Sequence, residues 1–373
     1  MHILYIITKL ELGGAQKVCL SLFNALQKDH TTFLLSGHEG VLVDQVRHLN
    51  QVTLIKTFTR EIGIGLFLTE LKNFWHITRH IKKLKNSYPD LIVHTHSTKA
   101  GIVGRWAAWL AGVTHRVHTV HGFACHEHQK KIAWILIYLC ELITSLITTH
   151  FICVSQKDIG YGSRLFPHFT HKSSIIRAAI DYKKFLRVES LPFPTTTPFI
   201  FGTIACCKPQ KNLHDLIHAF AEVYQHNKNT RLEIIGDGLM RPSLEELVKT
   251  LQLNHVVTFY GWRAEVQVPM STWHTFTLTS LWEGLPCAII EARSMKLPVI
   301  SYATGGIPEV IFHEKNGLIY PQKDRLALAH GMLELSRNQI LYEQLSSFSD
   351  NLADFSDDTM HEEHKKLYAS FFA

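Results

Sequence analysis

Short apolar runs alternate with longer amphipathic stretches along the first half of the chain. The runs are rich in β-branched residues, and the stretches between them place apolar residues at helical spacing. This alternation predicts a parallel sheet covered by helices. The predicted strands are 3–7, 32–36, 90–94, 116–120 and 151–154, and the predicted helices are 15–26, 69–85 and 100–110.

A proline-rich segment, 189–198, interrupts this pattern, and we interpret it as a linker. The alternation then restarts, with predicted strands at 199–205, 231–235, 256–259, 275–278, 298–301 and 317–320. The prediction is therefore an α/β protein of two Rossmann-like domains, 1–188 and 199–355, with parallel sheets facing each other across a cleft. The last segment, 356–373, is predicted to be a helix that packs back on the first domain.

The composition is typical of a globular protein, with 373 residues, 46% hydrophobic and 19% charged. Seven scattered cysteines, an odd number, indicate reduced thiols rather than a disulfide framework. The N-terminus lacks a basic region and a small-residue cleavage site, so we expect a buried strand there rather than a signal peptide. These features favour a cytoplasmic protein.

Charge is distributed unevenly between the two halves. Residues 1–190 carry 23 Lys and Arg against 12 Asp and Glu, whereas 191–373 carry 15 against 20. Motifs for nucleic-acid binding are missing from the sequence, so an anionic membrane surface or phosphorylated lipid fits the basic half better. The basic face of helix 69–85 (Lys72, Arg79, Lys82 and Lys83) predicts peripheral docking at the cytoplasmic face of the membrane.

The apolar stretch 132–149 contains one charged residue, Glu141. A carboxylate in the middle of a membrane-spanning helix costs about 2.5–3.5 kcal/mol, which disfavours a span. Two alternatives remain open: a helix buried in the first domain, and a helix lying on a membrane surface.

The segment from Glu283 to Glu291 places two carboxylates on either side of a Gly/Pro turn and an apolar run. We predict a helix over 288–295, with Glu283 in the loop before it and Glu291 near its start. A helix N-terminus favours a phosphate, and a nearby carboxylate can accept hydrogen bonds from two vicinal hydroxyls. The pattern indicates a site for a nucleotide joined to a hydroxylated group.

An ordered set of motifs resembles the family 4 glycosyltransferases of GT-B fold, particularly bacterial enzymes of envelope polysaccharide assembly. The resemblance covers nearly the whole chain. The motifs are Gly13-Gly14-Ala15, Pro89-Asp90, His94-Thr-His96-Ser97-Thr-Lys99-Ala-Gly101, Thr119-Val-His121-Gly122-Phe123, Gly202-Thr203 with Pro209-Gln210-Lys211, Gly236-Asp237-Gly238, the Glu283/Glu291 pair, and Gly305-Gly306-Ile-Pro308-Glu309 with Asn316-Gly317.

The resemblance implies transfer of a sugar from a nucleotide diphosphate donor, with uridine favoured over guanosine, to a lipid-linked saccharide or polysaccharide precursor with retention of configuration. It implies that His121 hydrogen-bonds the donor sugar, that Lys211 neutralises the leaving diphosphate, and that Glu283 holds sugar hydroxyls.

The remaining predicted contacts divide between a donor side and an acceptor and membrane side. For the donor they are Gly14, Lys208, Gly236, Gly284, Leu285 and Glu291, with Glu291 on the ribose. For the acceptor and membrane side they are Gly13, His96 and the four basic residues of helix 69–85.

One position departs from the family pattern. The family places an Arg five residues before this Lys, where the chain has Cys206, and we predict that Lys208 supplies the second charge. Metal independence is expected, because the positive groups of a GT-B site replace a metal. The cluster Cys125, His126 and His128 does not match a standard zinc spacing.

Two alternative functions stay open. A nucleotide-sugar 2-epimerase shares the fold and would change the sugar without an acceptor. A non-catalytic partner subunit of a glycosyltransferase complex is suggested by Cys206, since a lost phosphate ligand would fit a lost activity.

Overall fold

The computed structural model describes residues 1–59, 67–125 and 129–373. These residues form two units: unit 1 comprises Met1–Ala179 and Asp357–Ala373, and unit 2 comprises Ile180–Ser356. Each unit is built on one parallel sheet, which confirms the predicted α/β class.

Unit 1 contains a seven-stranded sheet of order β3-β2-β1-β4-β5-β6-β7. Its strands are β1 (His2–Ile7), β2 (Thr31–Gly37), β3 (Val52–Ile55), β4 (Leu91–His96), β5 (His115–Val120), β6 (His150–Cys153) and β7 (Ser173–Ile175). Its helices are α1 (Gly14–Ala25), α2 (Val43–Val46), α3 (Phe67–Ser87), α4 (Thr98–Leu110), α5 (Lys131–Ile147), α6 (Gln156–Leu165) and α14 (Asp357–Ser370).

The helices of unit 1 lie on both faces of its sheet. The chain moves one way across the sheet from β1 to β2 and the other way from β4 to β5, so right-handed crossovers place α1 and α4 on opposite faces. Helices α3 and α5 pack against α4 in one layer, and α14 packs against α1 in the other. The core on the α4 side includes Leu4, Ile6, Ile77, Ile81 and Val93, all fully buried.

Unit 2 contains a six-stranded sheet of order β10-β9-β8-β11-β12-β13. Its strands are β8 (Phe199–Ile204), β9 (Thr230–Ile235), β10 (Val257–Gly261), β11 (Thr275–Leu278), β12 (Val299–Tyr302) and β13 (Gly317–Tyr320). Its helices are α7 (Tyr182–Phe185), α8 (Leu213–His226), α9 (Arg241–Thr250), α10 (Gln267–Met270), α11 (Cys287–Ser294), α12 (Arg325–Leu335) and α13 (Gln339–Ser347).

The boundary between the units falls before the proline-rich segment. Ile180 forms an isolated bridge with Ser356, and the Arg187 N–H donates to the Ser294 carbonyl at 3.2 Å. These long-range contacts attach residues 180–198 to unit 2, whereas the sequence pattern placed the end of the first domain at 188. The segment 189–198 has no helix or strand.

Candidate active site

The loops after β8, β11 and β12 meet at the carboxyl edge of the unit 2 sheet. In a parallel α/β sheet, this edge is where ligands bind, at the point where strand order reverses. Here the order reverses between β8 and β11. The loop after β8 carries Lys211, and the loop after β11 carries Glu283, so the topology brings these two predicted residues to one place.

The Lys211 ammonium donates a hydrogen bond to Glu283 Oε1, and the two groups form an ion pair. The side chains are 16% and 9% exposed. At this low exposure the pair is screened weakly by solvent. The pair keeps a cation and a carboxylate at the rim, where each can meet a ligand.

Hydrogen bonds join the loops that carry the pair. The Leu281 N–H donates to the Gln210 carbonyl at 2.8 Å, and the Gln210 side-chain amide donates to the Trp282 carbonyl at 2.6 Å. The hydroxyl of Thr279 donates to the carbonyl oxygens of Lys211 and Asn212, both at 3.0 Å. The backbone on both sides of the ion pair is therefore held in place before any ligand binds.

Gly305, in the loop after β12, contacts the loop that carries Glu283. It has φ +55°, and a Cβ at this position would lie 2.2 Å from the Glu283 carbonyl oxygen. Only glycine combines this left-handed conformation with such a close backbone approach. The motif Gly305-Gly306 thus places the loop that presents Glu283, Gly284 and Leu285.

Glu291 lies on α11, which begins at Cys287, one residue before the predicted start. Its side chain is buried, with the residue 3% exposed. Glu283 lies in the loop before the helix, as predicted, and the first N–H groups of α11 follow Pro286. The sequence reasoning therefore placed both carboxylates correctly on their local elements.

The other predicted donor residues occupy neighbouring loops. Gly236 follows β9 with φ +130°, and a Cβ there would lie 2.1 Å from the Ala205 carbonyl oxygen. Asp237 serves the same turn, because it accepts from the Gly238 N–H at 2.7 Å and from Arg241 at 2.7 Å. Lys208 is half-buried and lines a cavity with His214 and Met240.

In unit 1 the carboxyl edge holds imidazoles instead of an ion pair. His96 ends β4 and His121 follows β5, and their Nδ1 and Nε2 atoms share a hydrogen bond at 3.0 Å. His96 Nε2 is buried without a partner among the described residues. His121 is half-buried at the edge of the sheet, and part of its surface is left for a ligand.

Burial keeps these imidazoles neutral. It lowers the pKa of His121 to about 3, with a smaller contribution from His364. Burial, and then the neighbouring histidines, hold the pKa values of His94 and His96 well below their usual range. A neutral imidazole offers one donor and one acceptor, which suits hydrogen bonding to a hydroxyl better than donating a proton.

The glycine pair of unit 1 lies at the start of α1. Gly13 is the N-cap, with extended backbone, and Gly14 is the first helical residue. Ser97, which follows β4 and is the N-cap of α4, has φ +66°, and its hydroxyl hydrogen-bonds that of Thr8 at 2.7 Å. The loops after β1, β4 and β5 thus form one edge that carries Gly13, His96 and His121.

The predicted basic residues lie apart from this edge, on α3. Lys72, Arg79, Lys82 and Lys83 are all exposed. Of the residues considered for a metal, Cys125 is buried, and His126 and His128 lie outside the described residues. No cluster of three potential metal ligands occurs in the described ranges.

Sequence reasoning missed Tyr368 and His364 of α14, which lie close to the buried His94. Tyr368 of α14 hydrogen-bonds His94 Nδ1 at 2.6 Å, and Thr119 hydrogen-bonds His94 Nε2 at 2.7 Å. His364, also on α14, contributes to the lowered pKa of His121. Their only sequence signal is a histidine and a tyrosine at helical spacing, which does not indicate a partner on a distant strand.

Two family models match the chain, one to each unit. The model of Glycosyltransferase Family 4 matches residues 12–183, and the model of Glycosyl transferases group 1 matches residues 189–351. Together they cover both carboxyl edges described above.

Two similar proteins are bacterial transferases. The chain is 28% identical over 341 residues to the UDP-Gal:α-D-GlcNAc-diphosphoundecaprenol α-1,3-galactosyltransferase of Escherichia coli, covering 88% of this chain and 86% of that protein. It is 23% identical to a Campylobacter jejuni α-1,4-N-acetyl-D-galactosaminyltransferase whose name specifies a diphosphoundecaprenol-linked acceptor, covering 99% and 98%.

Solved structures share the whole fold. Anabaena HepE in complex with UDP and glucose has a TM-score of 0.82 at 18% identity, covering 99% of this chain and 100% of that one. Sucrose-phosphate synthase of Thermosynechococcus elongatus has a TM-score of 0.79 at 19% identity, covering 100% and 99%. This likeness establishes the fold class as GT-B.

Proposed function

The chain belongs to glycosyltransferase family 4, and we propose that it transfers a sugar from a UDP-sugar to a lipid-linked saccharide with retention of anomeric configuration. Support for the donor comes from HepE, which was solved with UDP and glucose. Support for the acceptor comes from the Escherichia coli and Campylobacter relatives, whose names specify diphosphoundecaprenol-linked substrates.

The observation that carries the proposal is the ion pair between Lys211 and Glu283. When the anomeric C–O bond breaks, the diphosphate leaves with the electron pair and its negative charge grows. A fixed ammonium at that point stabilises the transition state more than the ground state. Lys211 would turn one of its three N–H donors to the diphosphate, while Glu283 accepts hydrogen bonds from sugar hydroxyls.

The other donor contacts follow from the same edge. Glu291 would hold the ribose hydroxyls, with the N–H groups of Gly284 and Leu285 facing the donor sugar or phosphate. Gly236 and Gly14 would admit the donor close to the backbone, and Lys208 would add a second positive charge where the family has Arg. His121, neutral because burial lowers its pKa to about 3, would hydrogen-bond a sugar hydroxyl.

The acceptor would bind at the carboxyl edge of unit 1, beside Gly13 and His96. We place the protein in the cytoplasm, at the inner face of the membrane, with Lys72, Arg79, Lys82 and Lys83 toward anionic lipid. The positive groups of unit 2 would do the work of a metal, so transfer should persist in a chelator.

The test is a transfer assay with radiolabelled UDP-sugars and diphosphoundecaprenol-linked acceptors. We expect radiolabel in the lipid fraction without added metal. With an α-linked donor, we expect an α-linked product, which the proton NMR coupling constant at the anomeric carbon C1 identifies. Lys211→Ala should abolish most of the transfer. The matched control is Lys249→Ala, which removes the lysine of an exposed pair with Glu246 on α9.

Two outcomes of this assay would contradict the proposal and favour one of the alternative functions. Release of an altered nucleotide sugar without acceptor would indicate the epimerase. Failure of a folded sample to bind nucleoside diphosphates or transfer sugar would indicate the non-catalytic subunit, and Cys206→Arg would then be the first variant to restore donor binding.

A further inference from the structure

Helix α5 exposes an apolar stripe along its whole length. The stripe residues recur at three- and four-residue spacing, so they lie on one face of the helix. Their exposed fractions range from 44% to 76%. The stripe consists of Ile132, Ile135, Leu136, Leu139, Ile143 and Leu146.

The polar side of α5 faces inward. Glu141 lies on the face opposite the stripe and accepts a hydrogen bond from the fully buried Arg105 of α4 at 2.7 Å. Thr144, also buried, accepts from the Trp106 indole N–H at 3.0 Å. An ordinary surface helix buries most of its apolar side chains. Helix α5 packs Tyr138 and Leu142 against the core but leaves the apolar stripe exposed. The Arg105–Glu141 pair holds the helix in this orientation.

The neighbouring helices of the same layer extend the apolar surface. Trp109 and Leu110 at the end of α4 are 47% and 46% exposed. The first half of α3 also exposes large apolar side chains, namely Phe67, Leu68, Leu71 and Trp75. Exposed apolar area distributed over three packed helices marks an interaction surface. We call the exposed side of α3, α4 and α5 the outer helix surface.

The charge on the outer helix surface has one sign. Helices α3, α4 and α5, which lie wholly within the described residues, contain two acidic side chains, Glu70 and Glu141. Both are paired with cations of α4: Glu70 with Lys99 at 2.6 Å, and Glu141 with Arg105. The exposed charged residues are then all basic: Lys72, Arg79, Lys82 and Lys83 on α3, and Lys130 and Lys131 at the start of α5.

We propose that the outer helix surface docks on an anionic lipid bilayer, with the α5 stripe at the acyl boundary and the basic residues at the lipid headgroups. An apolar stripe bordered by cations, with both acids turned to internal partners, is complementary to such a membrane surface. Within the described ranges, none of the helices combines the length and hydropathy that a bilayer-spanning segment needs. The inference deepens the proposed membrane location, but its test does not require transfer activity.

The first experiment is co-sedimentation of the full chain with vesicles of phosphatidylglycerol and phosphatidylcholine. We expect binding that falls when phosphatidylglycerol is omitted, and that weakens when ionic strength rises from about 0.1 M to about 1 M. The double variant Leu136→Ser/Leu146→Ser should weaken partitioning by about tenfold or more. The matched control is Val268→Ser/Ile340→Ser in unit 2, where the side chains are 64% and 79% exposed.

The second experiment uses a cysteine at the edge of the stripe. Cys140 is exposed, whereas Cys206 is half-buried and the other five cysteines are buried. The emission maximum of an environment-sensitive fluorophore attached to Cys140 should shift to shorter wavelength when phosphatidylglycerol vesicles are added. The shift should disappear in the Leu136→Ser/Leu146→Ser variant and remain in the control.

The inference fails if the folded protein does not bind phosphatidylglycerol vesicles, or binds them equally well in the stripe variant. It also fails if sedimentation velocity shows self-association that the stripe variant abolishes, since a second copy would then cover the surface. A native circular dichroism spectrum and a cooperative denaturant unfolding transition establish that each variant is folded. Vesicle binding without sugar transfer would contradict the proposed function alone, and sugar transfer without vesicle binding would contradict this inference alone.

Discussion

In both sheets, the main candidate residues lie at or just beyond the carboxyl ends of three adjacent strands: β1, β4 and β5 in unit 1, and β8, β11 and β12 in unit 2. The chemistry at the two edges differs. Unit 2 presents a charged pair, Lys211 and Glu283, whereas unit 1 presents the imidazoles of His96 and His121, which burial keeps neutral. The same parallel-sheet arrangement can therefore present either charged groups or neutral hydrogen-bonding groups at its carboxyl edge, depending on the residues there.

This difference matches the proposed division of work. A diphosphate needs fixed positive charge, and a saccharide needs donors and acceptors without net charge. The charged edge would hold the donor diphosphate, and the neutral edge would meet sugar hydroxyls. Substitutions at the two edges should accordingly have different signatures.

The largest expected effect is at the charged edge. Lys211→Ala should lower kcat by about 10²–10³-fold, because the ammonium stabilises charge that develops in the transition state. Initial-rate measurements at saturating donor test this. In Lys211→Ala the Glu283 carboxylate loses its ion-pair partner, whereas in the double variant Lys211→Ala/Glu283→Gln that negative charge is removed as well. The double variant should be no more active than Lys211→Ala if loss of the ammonium causes the defect. A loss below about threefold would place the diphosphate elsewhere.

The second prediction tests the backbone that positions Glu283. Gly305→Ala introduces both a left-handed alanine and a Cβ 2.2 Å from the Glu283 carbonyl oxygen. Gly112→Ala is the matched control, since Gly112 has φ +79° and its Cβ would meet no atom within 4 Å. The control should lose about 1–2 kcal/mol of unfolding free energy, from backbone conformation alone. Gly305→Ala should lose about 2 kcal/mol more and bind UDP-sugar weakly.

Denaturant unfolding measures the unfolding free energy of each glycine variant, and titration with UDP-sugar measures its donor affinity. Equal effects of the two alanines on unfolding, with donor affinity retained in Gly305→Ala, would mean that the turn does not position the Glu283 loop.

The third prediction concerns the neutral edge. Burial lowers the pKa of His121 to about 3 and that of His364 to about 4. The unfolded chain takes up protons as pH falls below about 6.5, and the folded chain does not. The unfolding free energy is therefore highest above this pH and declines from about 6.5 toward the folded pKa values. Each such histidine contributes up to about 1.4 kcal/mol per pH unit.

Denaturant unfolding at pH 7.5 and pH 5 measures this dependence. His364→Gln should reduce the difference between the two conditions, whereas His48→Gln, an exposed residue of unit 1, should leave it unchanged. A pH-independent unfolding free energy would contradict the neutral state of the buried imidazoles.

The smallest expected effect is at Lys208. Lys208→Ala should weaken donor binding by about three- to tenfold, because a lysine contributes charge without the bidentate geometry of arginine. Calorimetry with UDP tests it. Unchanged affinity and turnover would show that the chain has no second phosphate cation at this position.

The sequence predicted the local elements well where glycine and proline mark their ends. Pro286 precedes α11, and the glycines after β9 and β12 mark turns with positive φ, so the carboxylates could be placed from local pattern. Strands β3 and β7 were missed, because their four and three residues are too few to show a clear alternation.

The rest depends on contacts between residues distant in sequence. The Arg105–Glu141 pair joins two helices, and without it Glu141 is only a charge in an apolar stretch. The Tyr368–His94 hydrogen bond joins residues that are 274 positions apart in the sequence. The division of the units at Ala179 likewise depends on a bridge to the far end of unit 2, which no local proline signal indicates.

The most direct test of the central claim is a calorimetric titration of UDP into the protein without metal. We expect saturable binding that weakens by about tenfold or more in both Lys211→Ala and Glu291→Ala, and that persists in Lys249→Ala. Equal UDP affinity in the wild type and both site variants, or no UDP binding by a folded sample, would contradict it.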